Sequence, residues 1–286
     1  MHPFAYHHPR EIKALLGLMQ QNNSNFRLLA GGTDLLIRIK TGRIAPDTLI
    51  DIKSIPELNC GIKQEADIVK IGALTLMATL ENDPLIKQYF PALAEAVHNV
   101  GSVQIRNRAT IAGNLCNASP AADSAPALLI YKAMVRCISH RGDRILPLSE
   151  FILGPGKTAL APDELLQEII LPMPEADQFA AFARLTRRKG VDLATINLCC
   201  QVSKKGITRF VLGAVGPIPI MVEEADGYLS SSTVSADQKR ARIEQLMVQA
   251  APISDIRASK EYRQAMLSVL GQRALEKALE NLRAAN

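Results

Sequence analysis

The chain has 286 residues, with 33 Lys and Arg against 28 Asp and Glu, a formal net charge of +5. At 48% hydrophobic and 21% charged it has the balance of a folded globular protein, which excludes a disordered or low-complexity chain. Its length suggests about two domains at roughly 150 residues each.

The charges are scattered, which argues for a solvated surface and against a nucleic-acid face. No apolar run approaches the roughly 18 residues of a membrane span. The first ten residues hold His2, His7 and His8 and no apolar stretch, so no signal peptide is expected there. The cysteines Cys60, Cys116, Cys137, Cys199 and Cys200 form no C-x-x-C pair. If Cys199 and Cys200 lie in a strand they point to opposite faces and cannot clamp one metal. Reduced thiols and a cytoplasmic location follow, with no metal site and no iron–sulfur cluster in this chain.

In chain order, Ile12, Leu15, Leu16 and Met19 fall at helical spacing after Pro9, and Asn22-Asn23 ends that helix. Residues 26–30 read as a strand broken by Gly31-Gly32-Thr33-Asp34, and residues 48–52 and 68–72 as further strands. Helices are predicted near 76–81 and 85–97, the second interrupted at Pro91. Residues 101–126, crowded with small and amide side chains, read as a loop of the kind that holds ligands. Residues 134–139 and 144–148 predict a hairpin, and 164–171 a strand closed by Pro172 and Pro174. Beyond that proline pair, taken as a domain boundary, 180–186, 194–202 and 207–214 predict three antiparallel strands. The last two are joined by the turn Ser203-Lys204-Lys205-Gly206. From about residue 236 the spacing of Ile243, Leu246, Met247 and Ala250, then of Leu267, Leu270, Ala274 and Leu275, is helical. The fold class is α+β.

Two segments have chemistry to offer. A strand ending in Gly31-Gly32 turns sharply and presents backbone N–H groups to an anion that no Cβ obstructs, and Thr33 adds a hydroxyl. Phosphate or pyrophosphate suits such a turn; the plainer reading is a turn with Asp34 capping a following helix. The second segment, Thr110-Ile111-Ala112-Gly113-Asn114, supplies similar donors. Two such loops are the pattern of one anionic cofactor held from two sides, although neither is a G-x-G-x-x-G or P-loop fingerprint. Asp123 is either a turn residue or an acceptor for a sugar or ribityl hydroxyl. His98 reads as a core or surface histidine. No hydrolytic or paired-carboxylate motif is present, so no catalytic side chain is assigned and any redox chemistry must arrive with a cofactor.

The stretch from Phe26 through Arg27-Leu28-Leu29-Ala30-Gly31-Gly32-Thr33-Asp34 to Leu35, with Asp51-Ile52 and Ile71-Gly72-Ala73, resembles the start of one flavoprotein family. Gln104-Ile105-Arg106-Asn107-Arg108-Ala109-Thr110-Ile111-Ala112-Gly113-Asn114 and Ala122-Asp123-Ser124-Ala125-Pro126-Ala127-Leu128 resemble its central signature. Arg187-Arg188, Val191-Asp192-Leu193-Ala194 and Asp255-Ile256-Arg257-Ala258-Ser259-Lys260-Glu261-Tyr262-Arg263 continue the likeness. The family is the FAD-binding medium subunits of molybdenum hydroxylases, such as xanthine dehydrogenase and carbon monoxide dehydrogenase. The resemblance implies a vanillyl-oxidase-like (PCMH) FAD-binding domain over residues 1–174. A C-terminal domain of antiparallel strands and helices over 179–286 would complete the flavin pocket.

By the same likeness, residues 27–34 hold the FAD pyrophosphate, residues 109–114 close on it, and Asp123 meets cofactor hydroxyls. Val100 and Leu165 or Leu166 pack on the cofactor. Two positions depart from the family pattern: Ala112 stands where a first glycine is usual, and Arg184 where Lys is common near the flavin. No histidine lies inside either glycine loop, which implies dissociable FAD. The implied partners are a molybdopterin-binding large subunit and a [2Fe–2S] small subunit, with NAD or another acceptor receiving the electrons. A non-redox assembly subunit that has lost FAD is the alternative from another class. A free-standing flavin oxidase would need a substrate-binding domain that the C-terminal residues do not suggest.

Overall fold

The computed structural model describes residues 2–21 and 25–284. The predicted helix terminator Asn22-Asn23 lies outside the described residues. The chain opens with β1 (Ala5–His7), α1 (Ile12–Gln21), β2 (Phe26–Leu29), α2 (Leu35–Lys40), β3 (Thr48–Asp51), β4 (Ile62–Glu65) and β5 (Ile68–Gly72). Short helices follow: α3 (Met77–Asn82), α4 (Pro84–Tyr89), α5 (Pro91–His98), α6 (Val103–Arg106), α7 (Ile111–Asn117) and α8 (Ser124–Ile130). Then come β6 (Met134–Ser139), β7 (Gly142–Pro147), α9 (Leu148–Phe151), β8 (Ile152–Gly154), β9 (Lys157–Thr158) and β10 (Leu165–Pro172). The remainder is β11 (Gln178–Leu185), β12 (Ile196–Ser203), β13 (Thr208–Gly213), β14 (Ile220–Glu224), α10 (Ala236–Met247) and α11 (Lys260–Ala284).

By their contacts these elements form two compact units made of interleaved segments. The first comprises Met1–Leu80, Ser102–Ala118 and Ala133–Pro172; the second comprises Glu81–Gly101, Ser119–Lys132 and Met173–Asn286.

In the first unit β1, β3 and β2 form a parallel sheet in that order, and an antiparallel sheet runs β4-β5-β10-β6-β7. Leu15 and Met19, one turn apart on α1, pack with Ile50, Ile52, Ile55, Leu58, Leu74, Ile138 and Leu165. That apolar stripe at i and i+4 is what its sequence spacing requires.

The second unit is an antiparallel meander, β11-β12-β13-β14. Every residue of β12 is buried, and its period-two alternation divides the work. Ile196, Leu198, Cys200 and Val202 join the core that includes Ile243, Met247, Leu267 and Leu275 of α10 and α11. Asn197 and Cys199 face the other way, and Asn197 reaches Asp123 at the start of α8. Cys199 and Cys200 are therefore on opposite faces, as the alternation requires. All five cysteines are free. The Arg263 guanidinium is buried, donating to the carbonyls of Thr195 and Ala214 at 2.9 Å each and to Asp255 Oδ1 at 2.6 Å. It pins α11 to the adjoining ends of β12 and β13, which gives the Asp255-to-Arg263 motif a structural purpose.

One expectation needs correction. Residues 101–126 are not one loop; they build α6, α7 and the start of α8, and every residue of α8 is buried. Small Ala and Ser side chains let this helix sink into the interior on all sides. A helix buried all round has no polar face and shows no amphipathic period.

Candidate functional site

The glycine turn sits at the end of β2, where the Leu29 carbonyl still accepts from Ile52 N at 3.2 Å. Gly31 then packs on another stretch of backbone: a Cβ there would collide with the Arg108 carbonyl and lie 3.0 Å from the Ala109 Cα. Gly32 adopts φ +74°, the left-handed region that favours glycine. Among the described residues, the N–H groups of Gly31, Gly32 and Thr33 have no acceptor. Three successive main-chain donors are thus available at a half-exposed turn. Asp34 occupies the N-cap position of α2, yet its side chain makes no capping hydrogen bond.

The second segment behaves differently. Ile111 N donates to Thr75 O at 3.0 Å, Ala112 N to Ala73 O at 3.4 Å, and Gly113 N to the Thr110 side chain at 3.2 Å. Asn114 N closes the first turn of α7 on Thr110 O. These donors are satisfied inside the unit, so what the segment lends to a site is shape. Ala112 lies within α7 and has no positive φ, so its methyl group introduces no backbone strain.

Between the two segments opens a cleft of about 440 Å³. Arg27, Leu28 and Ala30 from the first segment and Ala112, Gly113 and Cys116 from the second line it, together with Leu165 and Leu166 of β10. A smaller cavity of about 200 Å³ shares Ala30 and Leu74 with it and is bordered by Gly31, Lys53, Arg108 and Thr110. Leu29, Ala109 and Ile111 are core residues. Sequence reasoning missed Phe26, Ile52, Leu74, Cys116, Thr158, Leu160 and Glu164 as lining residues. Cys116 could have been found, because it follows Ala112 and Gly113 by four and three positions on one helix face. Burial pushes its thiol up to about 12. Glu164 is held by Arg144 through two 2.8 Å bonds, which keep its carboxyl below the usual range. Among the described residues, the one carboxylate lining the cleft is therefore paired within the chain.

The remaining site candidates belong to the second unit. Val100, half-buried, follows the last turn of α5, its N–H bonded to Val97 O at 3.1 Å. Asp123 is buried; its Oδ1 accepts from Asn197 Nδ2 at 2.8 Å and its Oδ2 lies 3.1 Å from Arg184. Burial raises the Asp123 carboxyl to about 6, against the opposing pull of Arg184 and then of Asn197. Arg184 also donates to Asn99 O at 2.6 Å and to the Asp192 carbonyl. Here Arg acts as a strut joining three backbone segments, a role suited to its fork of donors. Asn197 was not foreseen, since its partner is 74 positions away in sequence. His98 is an exposed residue paired with Glu81 at 2.7 Å. Among the described residues, no group of three or more His, Cys, Asp or Glu is placed to hold a metal ion, and no helix is long and apolar enough to cross a membrane.

A glycine turn with open donors beside an apolar cleft has the chemistry of a site for an anionic cofactor, and a helix-backed antiparallel meander follows it in the chain. Residues 2–174 match the FAD binding domain in molybdopterin dehydrogenase, and residues 180–278 the CO dehydrogenase flavoprotein C-terminal domain. The chain is 31% identical over 280 residues to the xanthine dehydrogenase FAD-binding subunit of Escherichia coli O157:H7, covering 96% of each chain. It is 32% identical over 279 residues to the carbon monoxide dehydrogenase medium chain of Hydrogenophaga pseudoflava, again covering 96% of each. The solved carbon monoxide dehydrogenase from that organism lacking the Mo-pyranopterin moiety superposes with a TM-score of 0.87 at 30% identity, over 97% of this chain and 98% of that one. The chain belongs to the FAD-binding subunits of the molybdenum hydroxylase family.

The residues present fit that cofactor. The open N–H groups of Gly31, Gly32 and Thr33 suit a diphosphate, and an apolar cleft without an unpaired carboxylate suits a ring system.

Proposed function

We propose that this chain is the electron-exit subunit of a multi-subunit molybdenum hydroxylase. The observation that carries the reading is the run of three unpaired main-chain donors at Gly31, Gly32 and Thr33, beside the apolar cleft. When bound, FAD would supply the redox chemistry that this chain's side chains lack; a [2Fe–2S] partner as the electron source and NAD or another acceptor as the outlet complete the proposed role.

The chain's own contribution is binding and placement. Gly31, Gly32 and Thr33 would donate their main-chain N–H groups to the diphosphate. Leu28, Ala30, Ala112, Leu165 and Leu166, which line the cleft, would shield a bound ring from water. Arg27 lines the same cleft. Family likeness supports the inclusion of Val100, Asp123 and Arg184 among the cofactor residues. Among the described residues no histidine lines the cleft, which supports dissociable FAD.

Reconstitution of the purified chain with FAD tests this. The expected result is a flavin absorbance spectrum, release of the flavin on acid precipitation, and acceptor-linked diaphorase activity without oxidation of an organic substrate. Absence of flavin after reconstitution would favour an assembly subunit instead, and full hydroxylase activity of the isolated chain would refute the division of labour.

A further inference from the structure

Asn197 is completely buried on β12, where an amide side chain is unfavourable unless its polar atoms are used. Its Nδ2 donates to Asp123 Oδ1 at 2.8 Å, while its Oδ1 has no hydrogen-bond partner among the described residues. That oxygen lies instead against Gly213, the residue opposite Asn197 on β13. A Cβ on Gly213 would stand 2.0 Å from Asn197 Oδ1 and 2.8 Å from Pro126 Cγ. Gly213 has no positive φ, so the close approach of the amide, and not the backbone conformation, requires glycine there. An orphaned oxygen and a glycine inside a strand are both unfavourable, and both accompany one hydrogen bond to one carboxylate.

The other groups around Asp123 leave this bond its importance. Arg184 of β11 lies 3.1 Å from the second carboxyl oxygen. Cys199, on the same face of β12 as Asn197, is held uncharged: burial first, then Cys200, Glu95 and Asp123, raise its thiol well above the ordinary range. Glu95 of α5 is tied to Lys277 of α11 at 2.6 Å. With one oxygen held by an amide and the other by a guanidinium, the carboxylate is fixed in rotation and favoured in its charged form, the stronger acceptor for a hydroxyl. We propose that Asn197 is a positioning residue: seated by Gly213, it holds the Asp123 carboxylate oriented to accept from a cofactor hydroxyl. The inference rests on the proposed place of Asp123 among the cofactor residues.

Equilibrium dialysis of the full chain with FAD, across the pH range in which Asp123 titrates, tests this. Wild-type affinity is expected to fall as pH drops through about 6, where Asp123 gains its proton. Asn197→Ala removes the donor, so Asp123 is protonated at higher pH and the fall is expected to move up by about one pH unit. Gly213→Ala drives the amide off Asp123 with Asn197 still present, and is expected to move the profile the same way. If urea unfolding shows that one variant does not fold, the other decides. In an Asp123→Asn background, which has no proton to gain, Asn197→Ala is expected to change affinity by the same factor at every pH. An Asn197→Ala profile with its midpoint at the wild-type pH, lowered equally throughout, overturns the proposal and leaves Asn197 a packing residue. An Asp123→Asn chain that binds FAD as tightly as the wild type at every pH overturns the place of Asp123 in the site, and this inference with it. A wild-type chain that binds no FAD overturns the cofactor assignment on which both rest.

Discussion

The backbone of Gly31 rests directly on that of Arg108: a Cβ on Gly31 would lie 2.9 Å from the Arg108 carbonyl carbon and 3.0 Å from the Ala109 Cα. Two glycine-bearing segments far apart in the chain thus meet main chain to main chain. The open donors of one sit beside the helix start of the other.

Gly31→Ala forces these segments apart. Overpacking of this kind costs about 1–3 kcal/mol, and the displaced donors should weaken FAD affinity about tenfold or more. Gly42→Ala is the control, because Gly42 has φ +71° but nothing near its absent Cβ. It should lower stability by about 1 kcal/mol and leave flavin content unchanged. Equilibrium dialysis with FAD and urea unfolding of both variants give the comparison.

Ala112→Gly restores the glycine usual in the family, but at a position that is helical in this chain. It should destabilise by about 0.5–1 kcal/mol without raising the bound flavin. A gain in flavin would show that the methyl group obstructs the cofactor after all.

The Asp123 carboxyl titrates near 6 when folded and near its ordinary value of about 4 when unfolded. Between those values the folded chain keeps a proton that the unfolded chain has released, so stability falls as pH rises through that window. Relative to Asp123→Asn, which cannot titrate there, the wild type should lose ground from about pH 4 to about pH 6 and then hold level. Urea midpoints across the range measure it; a trend of opposite sign would mean that attraction to Arg184 outweighs burial. Asp123→Ala leaves Arg184 buried without its carboxylate and should cost about 3–5 kcal/mol.

Cys116 lines the cleft with a thiol raised to about 12. At pH 8 its thiolate fraction is ~10⁻⁴, so alkylation should run about a thousandfold slower than for an ordinary exposed thiol. Iodoacetamide labelling followed by peptide mapping reads the rate, and rapid modification of Cys116 would contradict a thiol raised by burial.

Elements with a clear period were legible from the residues. The stripe on α1, strand β5 and the β12–β13 hairpin follow from spacing and turn chemistry. β1 and β14 were not foreseen: the first is three residues long, and the second is a five-residue strand with only two buried residues. α8 was hidden because complete burial erases the polar face that marks a helix. At the site, the turn at Gly31 and Gly32 was readable because its chemistry is local. The satisfaction of the donors at Ile111 and Ala112 was not, since their acceptors on Thr75 and Ala73 come from a distant stretch. The same distance concealed the Asp123–Asn197 bond.

A crystal structure of the FAD-loaded chain is the most direct examination of the cofactor assignment. Diphosphate oxygens should lie within hydrogen-bonding distance of the main-chain nitrogens of Gly31, Gly32 and Thr33, with the apolar cleft filled by part of the cofactor. A diphosphate bound elsewhere, with those three nitrogens bonded only to water, would contradict it.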